Sequence, residues 1–192
     1  HCARVPLTLL LAPAGAGKST LLSQWQTGAE PRAVVSLNLR PVDDDPVRFL
    51  RRFAEQTRAV VPAFDTSWFM PFDVAELPPS SIADALFDAL EQVSEPLFIV
   101  FDDFQHIRSP ETLSVISSLL DQPPADVHLI IASRTQPSFD VSRLRLDDAV
   151  VEIGAADLKI RREEVTALNE GLGGTALDED ELAHLLTITE GW

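Results

Sequence analysis

An α/β fold with a mostly parallel, five-stranded sheet is predicted by three observations on this sequence. Short apolar runs alternate with stretches of helical periodicity through residue 156. The runs "VPLTLLL" (5–11) and "PLFIVFDD" (96–103) are apolar without alternation, as in strands covered on both faces. Parallel neighbours need crossover connections, and the helical stretches between the runs supply them.

Taken in order, the run at 5–11 is the first strand, closed by Ala-Pro-Ala-Gly, and "STLLSQWQ" (19–26) spaces Leu21, Leu22 and Trp25 as a helix does. "RAVVSLNL" (32–39) predicts a second strand. A helix follows over 45–60, with Asp45 as its N-cap and Pro46 at its first position. Residues 61–79 carry four of the 14 prolines, Pro62, Pro71, Pro78 and Pro79, and are expected to form a long loop. "SSIADALFDALEQV" (80–93) places Ile82, Leu86 and Leu90 on one helical face. The third strand is 96–103, and Ser109 and Pro110 open a helix over 109–122. "VHLIIASR" (127–134) and "AVVEIG" (149–154) complete the strands. "RREEVTALNEGL" and "DEDELAHLLTI" then follow without a strand between them. The expected organisation is an α/β domain over 1–156 and the start of a helical appendage over 157–192.

Composition narrows the function. Fifteen Lys and Arg against 30 Asp and Glu give a net charge of −15, which repels nucleic-acid backbones. The segment is therefore not expected to bind DNA itself. A lone Cys2 excludes an internal disulfide and fits a reducing, cytoplasmic setting. No apolar run reaches the ~18 residues of a membrane span. Arg4, "LTLLLA" and small residues imitate a secretory signal, but cleavage there would destroy the Gly-Lys-Ser that follows. A chain opening on His1 and ending in "TEGW" is expected to be part of a longer protein.

One of only two lysines sits inside "APAGAGKS" (12–19), which matches the P-loop pattern G-x-x-x-x-G-K-[ST] except that Ala12 replaces the first glycine. Strand, Gly-rich turn and helix are the context that pattern requires, and they predict a three-layer P-loop NTPase fold. The chemistry follows from phosphate. Backbone N–H groups of Ala14, Gly15, Ala16, Gly17, Lys18, Ser19 and Thr20 turn inward on the phosphates, Lys18 reaches the β and γ oxygens, and the Ser19 hydroxyl coordinates Mg²⁺. At the end of the third strand, Asp102 is the candidate Mg²⁺ carboxylate, held directly or through water. Asp103 is placed to orient or deprotonate an attacking water. Ser133 and Arg134 end the fourth strand, where a cation could reach a γ-phosphate.

Other clusters carry less. Asp43, Asp44 and Asp45 precede a helix and are read as cap and dipole partners in preference to a metal site. His106 and His128 show no ligand spacing, and G-x-S-x-G is absent. No N-K-x-D signature accompanies Lys159, so adenine is expected over guanine.

With these residues in place, the chain resembles the nucleotide-binding domain of STAND-class P-loop NTPases, and most closely that of large MalT-like, LuxR-type ATP-dependent transcriptional regulators. The resemblance rests on "APAGAGKSTLLSQW", "DDDPVRFLRRF", "LFIVFDDFQHI", "HLIIASR", "RLRL" and "TEGW", and covers nearly the whole chain. It implies that Gly15, Gly17, Lys18, Ser19 and Thr20 form the phosphate loop, that Asp102 and Asp103 are the acidic pair, and that Arg134 senses the γ-phosphate. It also implies a strand between the P-loop and acidic strands, a place "RAVVSLNL" would take. Such proteins are switches: ADP holds a resting form, and ATP with an inducer permits self-association. Inducer and DNA would be met by regions outside this chain, and no membrane is involved. Arg108, Arg143 and Arg145 are candidates for an arginine acting across a subunit contact.

The sequence thus predicts an ATP/ADP-binding, Mg²⁺-dependent, slowly hydrolysing switch domain of a transcriptional regulator, with Asp103, Lys18 and Arg134 as its catalytic set. Two alternatives stand beside it. One is a nucleotide-dependent assembly module without catalysis; the other is a P-loop kinase acting on a small molecule.

Overall fold

The computed structural model describes residues 5–28, 33–67, 79–93, 95–159, 164–166, 169, 178, 179 and 181–184. Its strands are β1 (Leu7–Leu11), β2 (Ala33–Asn38), β3 (Leu97–Asp102), β4 (Val127–Ser133) and β5 (Val150–Gly154). Its helices are α1 (Lys18–Gln26), α2 (Pro46–Val60), α3 (Pro79–Glu91), α4 (Pro110–Asp121) and α5 (Ser142–Leu146). Two short 3₁₀ turns, Pro41–Asp44 and Phe104–His106, follow β2 and β3.

The helices start where local chemistry tells them to. Asp45 accepts a hydrogen bond from the Arg48 N–H and Pro46 is the first residue of α2. Ser109 accepts from the Thr112 N–H ahead of Pro110 in α4. The inward face of α2 then buries Phe49, Leu50, Phe53 and Ala54.

The sheet order is β2-β3-β4-β1-β5, and every pairing is parallel. The expectation of a mostly parallel sheet is thus met by a wholly parallel one. One expectation is corrected: the strand between β1 and β3 is β4, and "RAVVSLNL" lies beyond β3 at the sheet edge as β2. The chain leaves β1 through α1 and crosses two strand positions before pairing, so order in sequence does not give order in space. The five-residue α5 was also not anticipated, being too short to display a period. The tract 68–78 of the expected loop and most of the expected helical appendage lie outside the described residues.

Alternation along the buried strands sorts the core into two layers. Odd-numbered residues of β3 and β4, including Leu97, Ile99, Phe101, Leu129 and Ile131, pack with α2, α3 and α4. Even-numbered ones, Phe98, Val100, Ile130 and Ala132, pack with Leu10, Leu22 and Trp25 on the α1 side. Trp25 meets Phe98 edge-on at 5.0 Å. Every residue of β3 is buried, which accounts for its unbroken apolar run.

Phe101 is the hub next to the acidic pair, with ring centres of Phe49, Phe53 and Phe104 at 5.5, 6.2 and 6.2 Å. Phe101→Ala is expected to cost about 3–5 kcal/mol through lost burial and the cavity left behind. Thermal unfolding would then show Tm lower by on the order of 10 °C.

Candidate functional site

The carboxyl edge of the parallel sheet gathers the candidate residues. β1 ends at Leu11, level with Ser133 in the register of β4. The Ala12 N–H donates to the Ser133 carbonyl at 3.2 Å, which ties the start of the loop to the end of β4. Ala16 donates back to Pro13 at 3.4 Å, closing a turn. Gly15 and Gly17 both sit at φ +80°, a left-handed conformation that costs an L-residue roughly 1–2 kcal/mol. A Cβ at either would meet nothing within 4 Å, so glycine is required there by backbone conformation and not by crowding. Ala12 has no positive φ, and the alanine in place of the first loop glycine introduces no such strain.

Helix α1 begins directly after Gly17, with no side-chain cap and no acidic residue in its first turn. Its first N–H groups and the positive end of its dipole are therefore not neutralised by a residue of its own first turn, the arrangement that suits an anion. Lys18, the first residue of the helix, is 6% exposed. Its Nζ donates to the carbonyls of Ala12 at 2.6 Å and Pro13 at 2.8 Å. Burial lowers its pKa below the ordinary 10.5, with Asp102 opposing that shift and Arg134 adding to it.

Asp102 follows the even-numbered face of β3, the one covered by α1, and this parity sets it under the helix start. It is 8% exposed. Ser19 Oγ donates to its Oδ2 at 2.6 Å, and the Asp103 N–H donates to its Oδ1 at 2.8 Å. A hydroxyl and a carboxylate oxygen already in contact are hard donors of the kind Mg²⁺ takes, because that ion uses one or two protein oxygens together with phosphate and water. No cluster of three His, Cys, Asp or Glu side chains suited to a metal occurs among the described residues.

Asp103 leaves the strand at φ +55°, a left-handed turn unusual for a side-chain-bearing residue. Its Oδ1 accepts from Gln105 Nε2 at 2.7 Å, and Arg134 Nη2 lies 3.5 Å away. The Arg134 N–H donates to Gln105 Oε1 at 3.1 Å. The structure therefore brings Lys18, Ser19, Asp102, Asp103 and Arg134 together at one edge of the sheet. Gln105 was missed. Nothing in its residue type marks it, although its position two residues after the acidic pair could have drawn attention.

Other predicted residues fall elsewhere. Asp43 accepts from Arg52 at 2.6 Å and from the Arg40 N–H at 2.8 Å, while Asp44 accepts from the backbone of Arg108 and Ser109 and so docks the start of α4. With Asp45 capping α2, all three aspartates have protein partners. His128 stacks on Phe98 at 5.0 Å and meets the Val5 carbonyl through Nδ1. Arg145 pairs with Glu152 at 2.6 Å and Arg143 with Asp147 at 3.8 Å. Ala14 and Thr20 are exposed, and Ala16 is buried. No described helix is long and apolar enough to cross a membrane.

Comparison with known proteins places this geometry in context. The family model described as AAA ATPase domain matches residues 2–132. The serine/threonine-protein kinase PknK of Mycobacterium tuberculosis is 30% identical over 189 residues, which cover 97% of this chain and 17% of PknK. The HTH-type transcriptional regulator MalT of Klebsiella pneumoniae is 28% identical over 193 residues, covering 97% of this chain and 20% of MalT. The chain thus spans about a fifth or less of the length of these curated relatives. Among solved structures, a chain of the Drosophila ORC bound to AT-rich DNA and Cdc6 matches with TM-score 0.50 at 12% identity, over 96% of this chain and 63% of that one; this is a likeness of fold.

The lowered pKa of Lys18 gives a pH dependence with a definite sign. Its ammonium, not the neutral amine, makes charge-assisted bonds to phosphate. Affinity for a triphosphate is expected to be full below the Lys18 pKa and to fall as pH rises through it, with the loss beginning below 10.5. Titration of a fluorescent nucleotide analogue from neutral to alkaline pH measures this, and Lys18→Arg should flatten the profile because guanidinium keeps its charge.

Proposed function

The chain belongs to the family of AAA ATPase domains, and on that premise we propose that it is an ATP/ADP-binding switch domain with slow, Mg²⁺-dependent ATP hydrolysis. It serves a signal-responsive transcriptional regulator. The observation that carries the reading is the 2.6 Å bond from Ser19 to Asp102, which unites the loop and the acidic strand end at one point. The similarity to MalT supports the regulatory setting. Inducer, DNA and self-association are assigned to the longer protein in which this segment sits, in a cytoplasmic setting.

In this reading the backbone N–H groups from Ala14 to Thr20 receive the phosphates, and Lys18 exchanges the Ala12 and Pro13 carbonyls for β and γ oxygens. Ser19 and Asp102 are the residues that would hold Mg²⁺, whose charge would offset the charge that develops on the phosphate oxygens. Asp103 orients a water and accepts its proton as the water oxygen bonds to the γ-phosphorus and the bond to the bridging oxygen breaks, giving ADP and inorganic phosphate. Arg134 meets the γ-phosphate. Adenine is preferred over guanine because the chain carries no N-K-x-D.

Nucleotide-dependent assembly without turnover is a second reading. It draws support from the Arg134–Asp103 pair, in which a cation occupies the carboxylate meant to act on water. Phosphoryl transfer to a small molecule has less support, since β4 separates the acidic strand from the P-loop strand, an order that suits activation of water.

The first test is to denature the purified protein and identify released nucleotide by chromatography, alongside Lys18→Ala. Stoichiometric ADP from wild type and none from the variant is expected. Added Mg-ATP should bind the variant about 10-fold to 100-fold more weakly, as one or two charge-assisted contacts worth roughly 1.5–3 kcal/mol are lost. An empty protein that also ignores added Mg-ATP would overturn the reading.

Asp103→Asn separates the two readings. Nucleotide binding is expected to persist while phosphate release vanishes. Wild-type protein that binds ATP without releasing phosphate would favour assembly alone.

A further inference from the structure

Gln105 belongs to neither the phosphate loop nor the acidic pair, yet its side chain joins the ends of two strands. Its Nε2 donates to Asp103 Oδ1 at 2.7 Å, and its Oε1 accepts from the Arg134 N–H at 3.1 Å. One amide therefore holds the residue that follows β3 and the residue that follows β4. Only one orientation of that amide satisfies both bonds, because a carboxylate needs a donor and a backbone N–H needs an acceptor.

We propose that Gln105 is a positioning residue that fixes the Asp103 carboxylate while Arg134 moves between Asp103 and the nucleotide. The proposal rests on the nucleotide site described above. The Asp103 side chain is 29% exposed beyond the end of β3, so packing alone does not fix its carboxylate and its aim depends on the partners that hold it. Among the described residues those partners are two. The Gln105 contact is short and part-buried, whereas the Arg134 contact is 3.5 Å long and its side chain is 50% exposed.

A γ-phosphate is the stronger anion for a guanidinium and accepts from it in a fork. When Arg134 turns to it, the backbone of Arg134 stays tied to Gln105 Oε1, and Nε2 keeps its bond to Asp103. Arg134 can then leave Asp103 without Asp103 losing its aim. Loss of the amide would leave the phosphate contacts in place and blur the geometry needed for attack, and a misplacement of about 1 Å costs on the order of 100-fold in rate.

The test compares wild type, Gln105→Ala and Gln105→Glu for Mg-ATP and ADP affinity, kcat, KM and Tm. For Gln105→Ala, affinity and KM are expected within about twofold of wild type and Tm unchanged, with kcat reduced about 10-fold to 100-fold. Gln105→Glu keeps an acceptor for the Arg134 N–H but offers Asp103 no donor. It should lower kcat at least as far. Recovery of wild-type kcat in Gln105→Glu would overturn the proposal, since a tether to Arg134 would then suffice. Turnover that depends on Asp103 but survives Gln105→Ala would overturn this proposal alone. Turnover that survives Asp103→Asn, or a wild type that binds Mg-ATP without any turnover, removes the hydrolysis reading and this proposal with it, whereas a wild type that binds no nucleotide removes the nucleotide-site reading itself.

Discussion

The contact on which the site depends is the hydrogen bond between Ser19 and Asp102, which closes a separation of 83 residues. It requires three things at once. β3 must be buried on both faces so that it sits inside the sheet and not at its edge. Asp102 must fall on the even-numbered face, the one α1 covers, and β4 must hold β1 and β3 in register so that both end at the same level. A one-residue slip of β3 would turn Asp102 towards α2–α4 and leave a carboxylate among the phenylalanines.

Electrostatics makes this edge unlike the rest of the molecule. The chain carries a net charge of −15, yet one of its two lysines is buried at the start of α1, among backbone carbonyls and facing two aspartates. Burying an ammonium is unfavourable unless it is hydrogen-bonded. The Ala12 and Pro13 carbonyls meet that requirement. They are neutral acceptors, so a polyphosphate can displace them with a gain in charge-assisted bonding. An acidic surface disfavours unspecific anions, which makes a local, preformed site the more selective route to phosphate.

How far the sequence announced this arrangement can be followed residue by residue. The strands were legible because β1, β3 and β4 are apolar on both faces, and the starts of α2 and α4 because Asp45-Pro46 and Ser109-Pro110 are local signals. That Lys18 and Ser19 open a helix directly after a strand and a Gly-rich turn, and that Asp102 ends a buried strand, was legible from the local pattern around each of them. The place of β2 was not, since strand order depends on how helices cross the sheet and no local residue encodes it. Nor was Gln105, whose importance lies in two partners at Asp103 and 31 positions along the chain from Asp103 at Arg134. The αL turn at Asp103 had no strong signal either, since aspartate tolerates that conformation but also serves as a cap or a surface charge, whereas glycine would have advertised it.

The pairing of Arg134 with Asp103 bears on what kind of switch this edge can make. At 3.5 Å and with the arginine half exposed, such a pair is worth less than about 1 kcal/mol. Charge-assisted bonds to a phosphate are worth roughly 1.5–3 kcal/mol. On the proposed reading, Arg134 would favour a triphosphate over Asp103 and return to the carboxylate once the γ-phosphate is gone. On that reading the state of the candidate base would follow what occupies the loop, with a difference of only a few kcal/mol between the two arrangements. A difference that small is what a switch requires, because it lies within reach of a bound inducer or a neighbouring domain. A tighter Arg134–Asp103 pair would lock the resting arrangement, and no pair at all would leave the carboxylate free to act whether or not the site was filled correctly.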